Sequence, residues 1–412
     1  MGMNKIKVTN LGVVGVTIVI FITVIRYFKD TILISNTIAS LVALFGALLL
    51  AFSNYKINKG KLKIDQIDYF WMLIFFLYSL VRNPSYVWIN VWMCVIGIIV
   101  YFSLGSINGI LKYGFIIIVV FALLTASVTW YSLINYEGYC SLIAKLYTAA
   151  EMNSILSWYR QGMLSGLTFH YSNNTFYMIS AIFIIYSVLI SKSSKLKLLY
   201  IIAGYLLITV MVVGKRGPIV FAVISIIISY LFLNIKKNKK IERFLLVVIV
   251  LIVISPIIIS KVPEVSNFYF RLISSSGDYL SGRGDLYSDA INMFFSSPII
   301  GRGYGTFFVL KNGANSGVHN DYLQFLAEWG GVGFFICLIA YGGALYRSYK
   351  YYREAFVSIK ATQEDKLLAT WSFLFQVFVM LYSLTGIPHY DWEIFILFCI
   401  ACSIPRYRRK RI

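Results

Sequence analysis

The sequence predicts an all-α polytopic membrane protein. Three observations carry that class. Only 13% of the 412 residues are charged, about half of what a soluble domain uses to cover its surface. Hydrophobic residues make up 59% and aromatic residues 17%. The apolar residues come in blocks approaching the roughly 20 that a helix needs to cross a bilayer.

About twelve blocks have the composition of spans. They lie at 11–28, 32–53, 67–82, 86–104, 113–134, 171–191, 198–214, 218–234, 244–260, 324–346, 367–385 and 390–405. The first block, Leu11–Ile25, lacks a small-residue cleavage site and further spans follow it. It is therefore expected to stay as a helix rather than leave as a signal peptide. The organisation is one integral membrane domain over 1–412. Five cysteines are scattered, with Cys94, Cys337, Cys399 and Cys402 in apolar blocks and Cys140 in a polar connection. They imply packing rather than a disulfide or metal framework.

Lysine and arginine favour the cytoplasmic side of a membrane. Most of the 37 lie in alternate connections: near Lys5 and Lys7, in 54–66, 105–112, 192–197, 235–243 and 347–366, and in the tail RYRRKRI. The alternation predicts both termini in the cytoplasm. It also explains most of the +20 formal charge as orientation signals and anionic-lipid contacts, not a nucleic-acid patch.

Two outer connections are long, 135–170 and 261–323. Each contains helical apolar spacing and is expected to place an amphipathic helix in the outer interface. In the first, Leu142, Ile143, Leu146, Tyr147 and Ala150 share a face; in the second, Leu286, Ala290, Ile291, Met293 and Phe294 do. No duplicated halves are evident, which disfavours a transporter built on repeats. No aspartate or glutamate stands clearly in mid-span, which disfavours a proton-coupled pump.

The basic residues on the outer side run against the orientation rule. Three occur beside glycine, in VVGKRGPIV (Arg216), YLSGRGDLY (Arg283) and IIGRGYGTF (Arg302). Glycine allows tight turns and close backbone approach, and a guanidinium held in such a turn suits phosphate oxygens. Arg216 stands between two spans, with Pro218 opening the next helix and Lys215 adding a charge. Snorkelling to lipid headgroups is the alternative for Lys215 and Arg216, and a simple tight turn is the alternative for Arg302. The RGD tripeptide and the GRGYGT run are too short, and lack the structural context, to define adhesion or nucleotide sites.

All three histidines fall at the outer mouth of the predicted bundle. His170 precedes the sixth span and His389 the twelfth; for both, local hydrogen bonding is the simpler reading. His319 differs because Asn320, Asp321 and Tyr322 follow it directly at a helix start. A neutral imidazole can orient or deprotonate a hydroxyl, whereas Asn320 or Asp321 can equally serve as a helix cap. No DxD, HExxH or GxSxG motif is present. No metal or other cofactor is expected.

Together, SPIIGRGYGTF and HNDYLQFLAEWGGVGFF, with SGRGDLYSDAINMFF and VGKRGPIVFAVISIII before them, resemble the signatures of the bacterial O-antigen polymerase and O-antigen ligase superfamily. The resemblance is firm over about 210–335 and patchy before. It implies a C-type glycosyltransferase-like helical fold with outer interfacial helices. It also implies action on undecaprenyl-diphosphate-linked glycans at the periplasmic face of the inner membrane. Arg216 and Arg283 match the family's diphosphate-binding arginines, and His319 matches its histidine near the acceptor. Lys215 stands where small residues are common. Arg302, Lys215, Asn320, Asp321, Tyr322 and His170 are the further candidate substrate contacts. The implied partners are lipid-linked donor and acceptor oligosaccharides, membrane lipids and, as a candidate, a chain-length regulator. The Ile-, Lys-, Asn- and Tyr-rich composition leans toward a polymerase over a ligase. A lipid-linked oligosaccharide flippase is the reading from another class.

Overall fold

The computed structural model describes residues 2–25, 36–60, 64–79, 84–105, 107, 109–191, 197–233, 283–310 and 317–408. The described residues form fifteen helices: α1 Gly2–Ile25, α2 Asn36–Ile57, α3 Gln66–Ser79, α4 Pro84–Ser103, α5 Lys112–Ile134, α6 Tyr136–Leu146, α7 Ala149–Arg160, α8 Tyr171–Ser191, α9 Lys197–Val213, α10 Arg216–Leu233, α11 Gly284–Ser296, α12 Thr306–Leu310, α13 Asp321–Val357, α14 Gln363–Tyr382 and α15 Trp392–Arg408. Eleven of the predicted spans coincide with helices. The span expected at 244–260, and the connections at 192–196 and 234–282, lie outside the described residues.

Five described helices are long and apolar enough to cross a membrane: α1, α2, α5, α8 and α13. Shorter apolar helices occur within α3, α4, α9 and α10. Burial sorts them into layers. α8, α14 and α15 are buried nearly all round and form the centre. The surrounding helices expose large apolar side chains in stripes three and four residues apart. On α2 the stripe is Ile38, Leu41, Phe45, Leu48 and Phe52; on α5 it is Tyr113, Ile116, Val120 and Leu124. In water, continuous apolar stripes of this length would drive association. Against hydrocarbon they are the expected outer surface, and the polar side chains turn inward instead.

The interior end formed by the C-terminal part of α13 shows what those polar groups do. Arg347 and Arg406 both reach the buried Asp68 carboxylate, at 3.0 and 2.8 Å, and the Tyr101 hydroxyl donates to the same group at 2.8 Å. Asp65 also pairs with Arg347. Arg408 contacts Glu364 at 2.7 Å and Asp365 at 3.2 Å. These arginines were expected to contact anionic lipid. They are instead neutralised inside the bundle, because a guanidinium in a low-dielectric interior requires a carboxylate partner.

The same packing corrects a boundary. The span expected at 324–346 is a helix of 37 residues that runs on to Val357. Arg347, Ser348, Tyr351 and Tyr352 are buried against neighbouring helices, and no helix breaker intervenes. The inner connection shrinks to the few residues before Thr362, whose hydroxyl and Asp365 form a capping box for α14. A straight helix of that length would reach about 55 Å. It bends at Gly330, whose φ of 64° and ψ of −170° are not helical.

The Gly330 kink is a joint, not a defect. It releases backbone groups that bond the segment before α12. Gly331 N donates to Pro298 O at 2.8 Å, Val332 N to Ile299 O at 3.1 Å, and Gly303 N to Glu328 O at 2.7 Å. A Cβ on Gly330 would stand 2.4 Å from the Ile299 carbonyl oxygen, and one on Gly301 2.3 Å from that of Glu328. Glu328 itself is fully buried near the start of α13. It accepts from Gly305 N at 2.9 Å and Phe307 N at 3.1 Å, so it holds the GRGYG turn.

The two long connections contain helices, as expected, with two differences. The first divides at Tyr147 into α6 and α7, because Thr148 caps α7 through a capping box with Glu151. Ala150 therefore belongs to the second helix, and the buried cluster is Tyr139, Ile143, Tyr147 and Ile155. In the second connection, α11 packs Ala290 and Met293, with Leu286 and Tyr287, against Phe307, Val318 and Ala327. Ile291 is not on that face. It is exposed with Phe295, Ile299 and Ile300, which gives α11 an apolar outer side suited to the bilayer interface.

Replacing Gly330 by alanine is expected to lower the thermal midpoint of the detergent-solubilised protein. Forcing a Cβ residue into this backbone region costs about 1–3 kcal/mol, before the clash with Ile299 is counted. Unchanged melting of Gly330→Ala would show that the kink carries no such constraint.

Candidate functional site

The site is built from the start of α13 outward. Asn320 has extended backbone angles and caps the helix, its side-chain oxygen accepting from Tyr322 N at 3.0 Å and Leu323 N at 3.2 Å. Tyr322 donates its hydroxyl to Met380 O at 2.8 Å. Gln324 accepts from Val318 N at 3.1 Å. These bonds fix both flanks of His319, which sits at φ 58°. A non-glycine residue in the left-handed region is uncommon, so the surrounding bonds must hold it there.

Asp321 does not turn toward His319. Its Oδ2 accepts from the Ser383 hydroxyl at 2.8 Å, from His389 Nδ1 at 2.7 Å and from His389 N at 3.2 Å. Its own backbone N–H is shared between Ser383 O at 2.9 Å and Gly386 O at 3.1 Å. The turn between α14 and α15 is thus tied to the first residue of α13.

Three positively charged or protonatable groups come together from distant parts of the chain. Lys215 lies in the short link between α9 and α10, beside Gly214 at φ 92°, with its ammonium 5.1 Å over the Tyr171 ring. Arg283 directly precedes α11 and donates Nη1 to Thr385 O at 3.1 Å. His319 completes the group. Burial pushes the His319 imidazole down to about 4, and the positive charges of Arg283 and Lys215 push in the same direction. Burial and Arg283 likewise lower Lys215 to about 8. Both electrostatic influences on His319 are repulsive, as is the one on Lys215. Such a cluster favours a multivalent anion.

The first turn of α10 belongs to the same place. Arg216 is its first residue; the Arg216 side chain lies outside the described set. A Cβ on Gly217 would be 3.0 Å from Thr385 Oγ1, so the helix N-terminus abuts the turn that also receives Arg283. A helix N-terminus presents free N–H groups and partial positive charge, which adds to the attraction for an anion.

His170 stands at the rim. Its ring stacks on Tyr171 with centroids 4.1 Å apart and meets Trp158 edge-on at 4.6 Å, while Nδ1 accepts from Ser172 N at 3.1 Å. Arg302 is exposed and donates Nε to Ser296 Oγ at 2.9 Å. Of the sequence candidates, Lys215, Arg283 and His319 converge, with the Arg216 backbone beside them and His170 one ring away. Asn320, Asp321 and Tyr322 have structural bonds of their own. Sequence reasoning missed Thr385, which touches both Arg283 and α10, and it treated His389 as a bystander. The only signal for His389 was the rarity of histidine in the chain.

An all-helical bundle with five described helices long and apolar enough to cross a membrane defines the class: a polytopic membrane protein, with Lys215, Arg283 and His319 gathered at one end. Residues 201–338 match the family model for O-antigen ligase, which supports the O-antigen polymerase/ligase superfamily. Its members are glycosyltransferase-like enzymes. The matched stretch contains Lys215, Arg216, Arg283, Arg302 and His319. No curated protein matches the chain.

Two titrations follow. The folded value of His319 lies below its ordinary 6.5, so its contribution to stability is complete above that value and is lost as pH falls through about 4. By NMR, His319 should titrate near 4 in the wild type and move upward in Arg283→Gln. Inorganic pyrophosphate should also raise it, because an anion among these groups favours the protonated form. Lys215 works in the opposite direction for binding. Pyrophosphate affinity should fall as pH rises through about 8, where the ammonium is lost, and calorimetry across that range reads it directly.

Proposed function

We propose that the protein is a polysaccharide polymerase of the O-antigen type. In this reading it transfers a growing glycan from undecaprenyl diphosphate to the terminal sugar of a lipid-linked repeat unit, at the outer face of the bacterial inner membrane. The observation that carries the proposal is the convergence of Lys215, Arg283 and His319 within the family match. A diphosphate seated between Lys215, Arg283, the α10 N-terminus and Arg216 would relieve their repulsion. The acceptor hydroxyl then attacks the anomeric carbon. The new glycosidic C–O bond forms as the bond to the diphosphate breaks, with inversion, and undecaprenyl diphosphate leaves with the electron pair.

His319 receives or orients the hydroxyl proton. At about 4 it is a weak base before an anion binds. Anion binding raises its basicity, so the donor prepares the base that its own reaction needs. The guanidinium groups take the role that a metal ion fills in many nucleotide-sugar enzymes: they stabilise the negative charge that develops on the leaving group.

Transfer of finished glycan to lipid A core is the second reading, favoured by the family description itself. The test is reconstitution in vesicles with purified lipid-linked repeat units in the presence of EDTA. A ladder of products is expected. Product formed only after lipid A core is added would make the protein a ligase. Movement of the lipid across the bilayer with no product would overturn both in favour of a flippase. Arg283→Ala should insert normally and lose about 10²–10³-fold in turnover if its guanidinium acts as a transition-state donor.

A further inference from the structure

The turn from Ser383 to His389 touches Arg283, the start of α10 and the start of α13. Thr385 O receives Arg283 at 3.1 Å. Thr385 Oγ1 faces Gly217 at the start of α10. Ser383 O and Gly386 O receive the Asp321 N–H, two residues after His319. The Asp321 carboxylate gathers three bonds from Ser383 and His389.

His389 is itself pinned from three helices. Its ring stacks on Tyr341 of α13, with centroids 4.5 Å apart and planes 12° apart. Phe398 of α15 meets it edge-on at 4.9 Å. Tyr78 of α3 donates its hydroxyl to the His389 carbonyl at 2.7 Å. His389 and Asp321 are 1% and 0% exposed, so neither is reached by substrate.

We propose that His389 is a positioning residue: with Asp321 and Ser383 it forms a buried clamp that sets His319 and Arg283 at a fixed separation. The ring supplies a flat body held by Tyr341 and a donor at Nδ1 aimed at Asp321. Without that donor the carboxylate loses its shortest bond. The 383–389 turn and the α13 start are then free to shift independently, and with them Arg283 and the left-handed turn at His319. The effect on turnover rests on the proposed function; the clamp itself rests only on the geometry.

The test compares wild type, His389→Ala and His389→Asn in nanodiscs. Asparagine places an N–H donor close to the Nδ1 position and cannot titrate. Hydrogen exchange is followed by mass spectrometry over 317–323 and 383–389, alongside inorganic pyrophosphate affinity and turnover of lipid-linked repeat units. His389→Ala is expected to exchange about tenfold faster or more in both segments, as for loss of a buried bond to a charged group. Pyrophosphate affinity should fall several-fold, and turnover should fall further. His389→Asn should restore all three to near wild type.

Unchanged exchange in His389→Ala, or an increase spread evenly over the bundle, overturns the clamp. Failure of asparagine to restore turnover while it restores exchange also overturns it, in favour of a proton-carrying role. If His389→Ala does not fold, Ser383→Ala removes one bond to the same oxygen and should show the same two-segment pattern at smaller size. If the wild type neither binds pyrophosphate nor makes product, the functional reading fails and exchange still decides the clamp.

Discussion

Holding Lys215, Arg283 and His319 together against their mutual repulsion is the constraint that most of the described site answers. Each group is placed from a different segment, by backbone, an aromatic ring or neutral side chains rather than by an ion-paired carboxylate among the described residues. Lys215 is fixed by the tight link between α9 and α10 and by the Tyr171 ring. Arg283 is fixed by a carbonyl of the turn after α14. His319 is fixed by an Asn320 cap on one side and the Gln324 bond to Val318 on the other. Among the described residues, using carbonyls and ring faces places these groups without an ion-paired carboxylate. A carboxylate at any of these positions would have lowered the repulsion and with it the attraction for an anion.

The stretch after His319 shows how much of this is local instruction. Asn320 caps, Asp321 reaches the 383–389 turn, Tyr322 reaches Met380, Gln324 reaches Val318, and Glu328 reaches the GRGYG turn. Gly330 then breaks the helix so that its freed backbone can bond Pro298 and Ile299. Polar residues spaced along one helix start therefore organise three separate loops around one imidazole. The cost of burying Asp321, Gln324 and Glu328 is offset because each finds hydrogen-bond partners.

The helices were legible in the sequence because hydropathy reports directly on what lipid or the bundle interior will accept. Arg283 and His319 stood out in the sequence because a glycine-flanked arginine in an expected outer connection and a histidine beside Asn320, Asp321 and Tyr322 have few simple structural explanations. The pairings were not legible. Asp321 meets His389 across 68 positions, and nothing in either neighbourhood names the other. The same holds for Asp68 with Arg347 and Arg406, where charges expected to touch lipid headgroups are buried. The break at Tyr147 was concealed because apolar spacing runs through it, and only the Thr148 and Glu151 capping box marks the second start. The exposed Ile291 shows a related limit: a helix between water, lipid and protein can carry apolar residues on two faces, and spacing alone does not say which one is inside.

The two ends of the bundle use the same residue types for opposite ends. Where α13 finishes, Arg347, Arg406 and Arg408 are matched by Asp65, Asp68, Glu364 and Asp365. Those groups are satisfied internally, and an added ligand would gain little from them. Where α13 begins, the buried Asp321 carboxylate is committed to His389 and Ser383. Burial first, and the nearby positive charges in the same direction, lower Lys215 to about 8 and His319 to about 4. A bound anion would offset the repulsive part of both shifts and favour the charged form of each group. Positive charges left to act on one another attract an anion with several negative oxygens, and the proposed diphosphate donor would supply them.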